Sequence, residues 1–592
     1  VNAQEAQKTD GSHDASAAIG QVLSVRGSEA LIGLPAPWPN DGARATVGKF
    51  MAIKAGKREL IGMIKEVSAR NSGGGQNPNL KAVAKIALMG EIATDAAGTQ
   101  RYKRGVSGYP SIGDPCHLIT SKQLRLIYSP ADARTIKIGQ MNHDSRIDAH
   151  VDVDNLISKH FAILGSTGVG KSSGVAVILS EILRVRPDVR LFLLDGHNEY
   201  GSCFGEKANV IDPQSFKLPF WIFNFEELTD VIYGGRPAVA EEVEILSELI
   251  PIAKATYRGY KSASTGVSIK KVDPKQSGFT VDTPVPYLLQ DLISLIDNRM
   301  GKLENRSSRM SYHRLLMRLE TITNDPRYAF MFENASVGGD TMVDLLSHLF
   351  RLEPDGRPIS IMQLAGLPVE VVDAVVCVLC RLAFDFGLWS DGAMPLLFVC
   401  EEAHRYASAN PAVGFGPTRR ALARIAKEGR KHGVFLGLVT QRPAELDPTI
   451  ISQCSTMFAM RMANEHDQEL LRSAVADAAV NLLDFIPSLG TGEVVGFGEG
   501  MPIPARLTFS RLDQKLLPRS VSASSSLAGE AGALLDRNFI KSVVDRWRGA
   551  TKAGKGPAEG APSARTSAPE RAPAGKDISA MLSDARRQVL KR

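Results

Sequence analysis

Cysteine is scarce in this chain: six in 592 residues, at positions 116, 203, 377, 380, 400 and 454. So few and so widely spread, they exclude the disulfide framework of a small secreted domain. Cys377 and Cys380 have the spacing of half a zinc site, but no second Cys/His pair follows at the required distance. Their context, VVDAVVCVLCRLAF, is an apolar run of helical character, so buried core thiols are expected. Aromatic residues make up 6% of the chain, and no aromatic–basic repeat suggests base stacking along a single strand. Charge of one sign is also lacking: 70 Lys+Arg against 64 Asp+Glu leave +6. That balance permits nucleic-acid binding without arguing for it. No apolar run reaches the roughly 18 residues that cross a membrane. The segment VNAQEAQKTDGSHDASAAIG has no signal-peptide core. The expectation is a cytoplasmic protein with no membrane contact.

What is present is ordinary globular material, 44% hydrophobic and 23% charged. Residues 1–16 are small and polar, and read as a disordered tail. Across 17–135 short apolar runs (GQVLSVRGSEALIGL, KFMAIK, ELIGMIKEVS, KAVAKIALMGEI) alternate with turn residues such as NSGGGQNPN, the pattern of a small β-barrel or sandwich. From 136 to 224 the pattern changes to strand, Gly-rich turn, helix, strand, the signature of a parallel α/β sheet. Residues 225–335 carry helical periodicities and read as a helical insertion. The α/β pattern resumes over 336–515, with strands at ISIMQLAG, MPLLFVCEEAH, VFLGLVTQ and STMFAMRM. RRALARIAKEGRKHG reads as a helix over 419–433, and TGEVVGFG with IPARLTF as a hairpin and edge strand. The remainder, 516–592, reads as a largely flexible extension, with short helices expected at 537–549 and 578–592.

The sharpest motif is Gly165-Ser166-Thr167-Gly168-Val169-Gly170-Lys171-Ser172, which fits G-x-x-x-x-G-K-[ST] between an apolar strand and a helix. Glycines let backbone N–H groups curl around phosphate oxygens. Lys171 is placed to reach the β and γ phosphates of ATP, and Ser172 to offer its hydroxyl to Mg²⁺ at a helix N-terminus that favours anions. Such a loop needs acids, and MPLLFVCEEAH supplies them at the end of a buried strand. Glu401 is expected near the metal and Glu402 near the attacking water; the first position is more often Asp. Gln441, after VFLGLVT, is placed to sense the γ-phosphate through an amide that donates and accepts. Asp195 and His197 are placed to line the nucleotide site or a nucleic-acid channel, unless Asp195 instead caps the loop before Asn198. Arg430, in GRKHG, is a candidate arginine finger for a neighbouring subunit.

The succession HFAILGSTGVGKS, LLDGHNEYG, VCEEAHRY and AKEGRKHGVFLGLVTQRPAELDPTIISQC resembles the HerA-type hexameric DNA translocases of the HerA/FtsK branch, over most of residues 18–510. The resemblance implies a RecA-like P-loop ATPase core behind a small HAS-barrel, with a helical insertion after the second strand. It implies Walker A residues at 165–172, a Walker B pair at Glu401 and Glu402, a sensor at Gln441 and a trans-acting arginine at Arg430. It further implies a homo-hexamer on double-stranded DNA, ATP and Mg²⁺ as cofactors, and a NurA-like nuclease partner. Glu401 departs from the commoner Asp. A conjugation or secretion motor, or a single-strand-tracking helicase, shares the core and stays open as an alternative.

Overall fold

The computed structural model describes residues 18–519 except 36–44, 70–79, 96–97, 129–133, 143, 213–215, 235, 265–277, 303–304, 333–339, 411–415 and 475–479, together with 541 and 544–545. The expected tail at 1–16, the NSGGGQNPN turn and the helix at 578–592 lie outside the described residues, as does nearly all of 537–549. The chain divides into a large unit, Val1–Thr323 with Arg327–Leu534, and a small one, Asn324–Pro326 with Leu535–Arg592. Both domains considered below belong to the large unit.

The first is a closed barrel. Its strands are β1 (Gly20–Arg26), β2 (Glu29–Pro35), β3 (Phe50–Ala55), β4 (Arg58–Ala69), β5 (Leu80–Thr94), β6 (Gln100–Arg104) and β7 (Pro115–Leu118). The order β2-β1-β7-β3-β4-β5 returns to β2, so six strands close on themselves and β6 is added outside on β5. Strand β5 manages both jobs because it is long: Leu80–Ala87 pairs with β2 and Gly90–Thr94 with β6. Alternation puts Val22, Ile32, Leu34, Met51, Ile53, Leu60, Ile64 and Ile86 inside. Each such side chain contributes about 1.5–3 kcal/mol on burial.

After α1 (Ser121–Tyr128) the chain enters an eleven-stranded sheet. Strands β8 (Thr135–Met141) and β9 (Asp144–Asp152) form a hairpin. Then come α2 (Val153–Ser158), β10 (Phe161–Leu164), α3 (Lys171–Val185), β11 (Arg190–Asp195) and β12 (Ala208–Ile211). The helical insertion follows: α4 (Phe225–Tyr233), α5 (Ala240–Ser264), α6 (Leu289–Gly301), α7 (Arg306–Thr323), α8 (Ala329–Phe332) and α9 (Met342–Phe350). The core resumes with β13 (Ile359–Gln363), α10 (Val369–Trp389), β14 (Leu396–Glu401), α11 (Gly416–Glu428), β15 (Val434–Thr440), α12 (Pro448–Ile451) and β16 (Thr456–Ala459). It ends with α13 (Glu465–Ala474), α14 (Val480–Leu483), β17 (Glu493–Gly498) and β18 (Ala505–Phe509).

The sheet runs β12-β13-β11-β14-β15-β10-β16-β17-β18-β8-β9. Its first seven strands are parallel and the rest antiparallel. Strands β10 and β14 are buried along their whole length, the unbroken apolar pattern of strands covered on both faces. IPARLTF is not an edge strand, as the sequence had suggested: β18 lies between β17 and β8, because the hairpin β8–β9 returns from the other end of the core to cover it. The helix expected over 419–433 stops at Glu428. Gly429–His432 tightens into a 3₁₀ turn that Gly433 closes at φ 70°. A Cβ on Gly429 would stand 2.6 Å from the Val434 carbonyl oxygen, so the turn packs directly on the next strand.

Candidate nucleotide-binding and hydrolysis site

The P-loop hangs between two strand ends. The Gly165 N–H donates to the Thr440 carbonyl at 3.2 Å, and the Ser166 N–H to the Arg461 carbonyl at 2.9 Å. On the far side, the Gly492 N–H donates to the Val169 carbonyl at 2.8 Å. Gly168 (φ 75°) and Gly170 (φ 100°) take left-handed backbone that side chains resist. Gly165 is required for a second reason: a Cβ there would lie 2.8 Å from the Met460 Cβ. Helix α3 starts at Lys171, directly after this turn, and its first-turn amides face the cleft at the strand ends. Lys171 Nζ donates to the Ser166 carbonyl at 2.8 Å, so the lysine closes over its own loop. Burial pulls its ammonium below the usual lysine range, although Glu402, Glu401 and Glu199 all favour the charge.

Opposite the lysine stand four carboxylates. Glu401 ends β14 and Glu402 follows it, both 5% exposed. Glu401 Oε2 accepts from the Gly196 N–H at 3.0 Å, and its side chain is hydrogen-bonded to that of buried Asp195. A second carboxylate so close disfavours ionisation of the first. The Glu401 carboxyl is accordingly pushed up to about 9, first by burial and then by Asp195, Glu199 and Glu402. Asp195 also orders its loop, accepting from the Glu199 N–H at 3.0 Å and the Tyr200 N–H at 2.9 Å. Asp195 thus orders its own loop from a position beside Glu401. Glu402 takes left-handed backbone at φ 50°, unusual for a residue with a Cβ. Its Oε1 lies 3.5 Å from His197 Nε2, and its Oε2 lies 3.2 Å from His404 Nδ1. His404 Nδ1 is also 3.0 Å from Thr440 Oγ1. Burial lowers the His404 imidazole below its ordinary range, against the pull of Glu402.

Gln441 follows β15, and its side-chain oxygen accepts from the Thr167 hydroxyl at the tip of the P-loop. Lys171, Ser172, Glu401, Glu402 and Gln441 thus converge on one cleft at the carboxyl ends of β10, β14 and β15. Arg430 does not join them. It is exposed in the turn before β15, at the amino end of that strand. Crossing the seven residues of β15 takes about 23 Å at strand rise. Arg420, in the first turns of α11, pairs with Glu226. The cysteines are all unpaired and buried, and no metal-holding group of three or more His, Cys, Asp or Glu occurs among the described residues.

Sequence reasoning missed Glu199. Its carboxylate receives the Ser172 hydroxyl proton at 2.7 Å. The signal was present as an acid four residues past Asp195, in DGHNEYG. It was hidden because β11 and β10 are separated in the sheet by β14 and β15. No helix among the described residues is long and apolar enough to cross a membrane.

Residues 136–383 match the family model described as helicase HerA, central domain. The probable helicase MJ1565 of Methanocaldococcus jannaschii is 25% identical over 79% of this chain and 86% of its own length. The DNA double-strand break repair helicase HerA of Pyrococcus furiosus is 25% identical over 78% of this chain and 82% of its own. Among solved structures, VirB4 of Thermoanaerobacter pseudethanolicus aligns with 64% of this chain and 98% of its own, at 16% identity and TM-score 0.42. That last likeness is too slight to decide anything about function.

Proposed function

We propose, for a chain that is a RecA-like P-loop ATPase of the HerA/FtsK branch, that it works as a homo-hexameric ring driven along double-stranded DNA by ATP hydrolysis. Its setting is DNA end processing or repair, with a NurA-like nuclease as partner. The observation that carries the catalytic part is the convergence of Lys171, Ser172, Glu401, Glu402 and Gln441 at the mouth of the P-loop. The DNA part is supported by the double-strand break repair helicases to which the chain is similar.

The residues divide the work as follows. Backbone N–H groups of the P-loop and the α3 terminus cradle the phosphates, and Lys171 moves from the Ser166 carbonyl onto the β and γ oxygens. An all-oxygen donor set, the Ser172 hydroxyl with the Glu401 carboxylate, fits a hard divalent cation. Ser172 and Glu401 would hold Mg²⁺, which neutralises phosphate charge when bound. Glu402 orients and deprotonates the attacking water, a role worth about 10²–10⁴-fold in rate. Gln441 reports the γ-phosphate through the Thr167 contact. Arg430 reaches the site of the next subunit and stabilises the transition state there. Backbone-phosphate contacts give affinity without stopping at particular bases, which a translocase requires.

Displacement of a third strand from a triplex, fuelled by ATP, tests the reading. The wild-type protein should displace it, and Lys171→Ala should not. Hydrolysis without displacement, combined with movement on single strands, would replace the duplex motor by a strand-tracking helicase.

A further inference from the structure

The chemistry above leaves the HNEYG segment after β11 without a task of its own. We propose that Glu199 is a positioning residue: it holds the Ser172 hydroxyl in the one rotation that offers a lone pair to the divalent cation, and so sets how much Mg²⁺ adds to nucleotide affinity. This deepens the ATPase reading and rests on it.

A serine hydroxyl has one proton and two lone pairs. To ligate a cation it must use a lone pair, so its proton needs an acceptor elsewhere. Ser172 Oγ donates that proton to Glu199 Oε2 at 2.7 Å. A charged acceptor makes such a bond roughly twice as strong as a neutral one. Glu199 is itself held in place. Its N–H donates to Asp195 Oδ1 at 3.0 Å, the Tyr200 N–H donates to Asp195 Oδ2 at 2.9 Å, and Asp195 and Tyr200 are both fully buried. The loop therefore presents the Glu199 carboxylate from a fixed base, while its side chain is only half-buried and can be altered without opening the core.

Charge gives the inference a sign that a structural role lacks. Asp195, Glu199, Glu401 and Glu402 crowd negative charge around the cleft that Lys171 enters. Without a cation, Glu199 repels the incoming polyphosphate. With one, it supports the ligand that holds the cation. Removing the charge should relieve the first effect and lose the second.

The test is binding of a fluorescent ADP analogue, measured in excess Mg²⁺ and in EDTA, for the wild type, Glu199→Gln, Ser172→Ala and the double variant. The wild type should bind more tightly with Mg²⁺. Glu199→Gln should lose about tenfold of that gain while its affinity in EDTA stays equal or rises. The double variant should be no weaker in Mg²⁺ than Ser172→Ala alone, because the glutamate acts through the serine. An undiminished Mg²⁺ gain in Glu199→Gln overturns the inference. So does an equal loss in both media, or additive losses in the double variant. A wild type that binds no nucleotide in either medium overturns the ATPase reading itself.

Discussion

At the carboxyl ends of β10, β14 and β15, charged side chains are crowded together and buried; at the amino ends of β14 and β15, they stand in solvent. The first edge holds Glu401 and Glu402 at 5% exposure, with the Glu402 backbone in a left-handed conformation. The second presents Arg430 and Lys431 from an exposed turn, with neither side chain engaged by the site of its own subunit. The first arrangement costs folding energy, since buried like charges and a strained backbone each destabilise the chain. Such costs cluster where chemistry needs preset groups. The second arrangement costs little and gains nothing within its own chain. In the ring proposed above, one edge would supply the pocket and the other a cation to its neighbour.

Removing the carboxylate proposed to activate water should disturb the first edge most. Glu402→Gln keeps the P-loop and Ser172 intact, so it should bind ATP normally and hydrolyse it about 10²–10³-fold more slowly in steady-state phosphate release. Lost ATP binding in this variant would mark Glu402 as structural. A smaller effect is expected from Gln441→Ala, which removes one hydrogen bond to the loop tip. Turnover should fall roughly tenfold, with ADP affinity unchanged because ADP lacks the γ-phosphate; equal losses for both would deny it the sensor role.

The smallest effect is on stability. Folded, the Glu401 carboxyl is pushed up to about 9 from an ordinary value of 4.5. Between those values the folded chain keeps a proton that the unfolded chain releases, so this group lowers stability as pH rises. Glu401→Gln removes the ionisation. Its melting temperature should therefore exceed the parent's by roughly 2 °C at about pH 8, with little difference at about pH 5. A gain confined to the lower pH would contradict the assignment of cause.

How much of this was readable beforehand follows from where each signal resides. The P-loop is contiguous, so Gly165 to Ser172 carry their meaning in one stretch of sequence. Strands β10 and β14 are buried along their length and read as unbroken apolar runs. Barrel strands read as short apolar runs between turns, and β3 and β4 carry consecutive buried residues. The hairpin β8–β9 was harder, because its pairing register shifts between Lys137 and Gly139 and again after Gln140, breaking the alternation. Glu199 was harder still. Its partner Ser172 is 27 positions away, and only the strand order brings the two loops together. The placement of Arg430 at the far edge was implicit in β15 itself, since a residue before a strand and one after it cannot share an end.

The division of one catalytic site between two subunits is tested most directly by mixing two inactive proteins. Lys171→Ala has a spoiled pocket and a sound Arg430; Arg430→Ala has the reverse. In randomly mixed rings at equal amounts, roughly a quarter of the interfaces pair a sound pocket with a sound arginine. The mixture, unfolded and refolded together or co-expressed, should regain ATPase activity toward that fraction of wild type while each variant alone stays near background. A mixture as inactive as its components, from rings shown by mass to contain both chains, would contradict it.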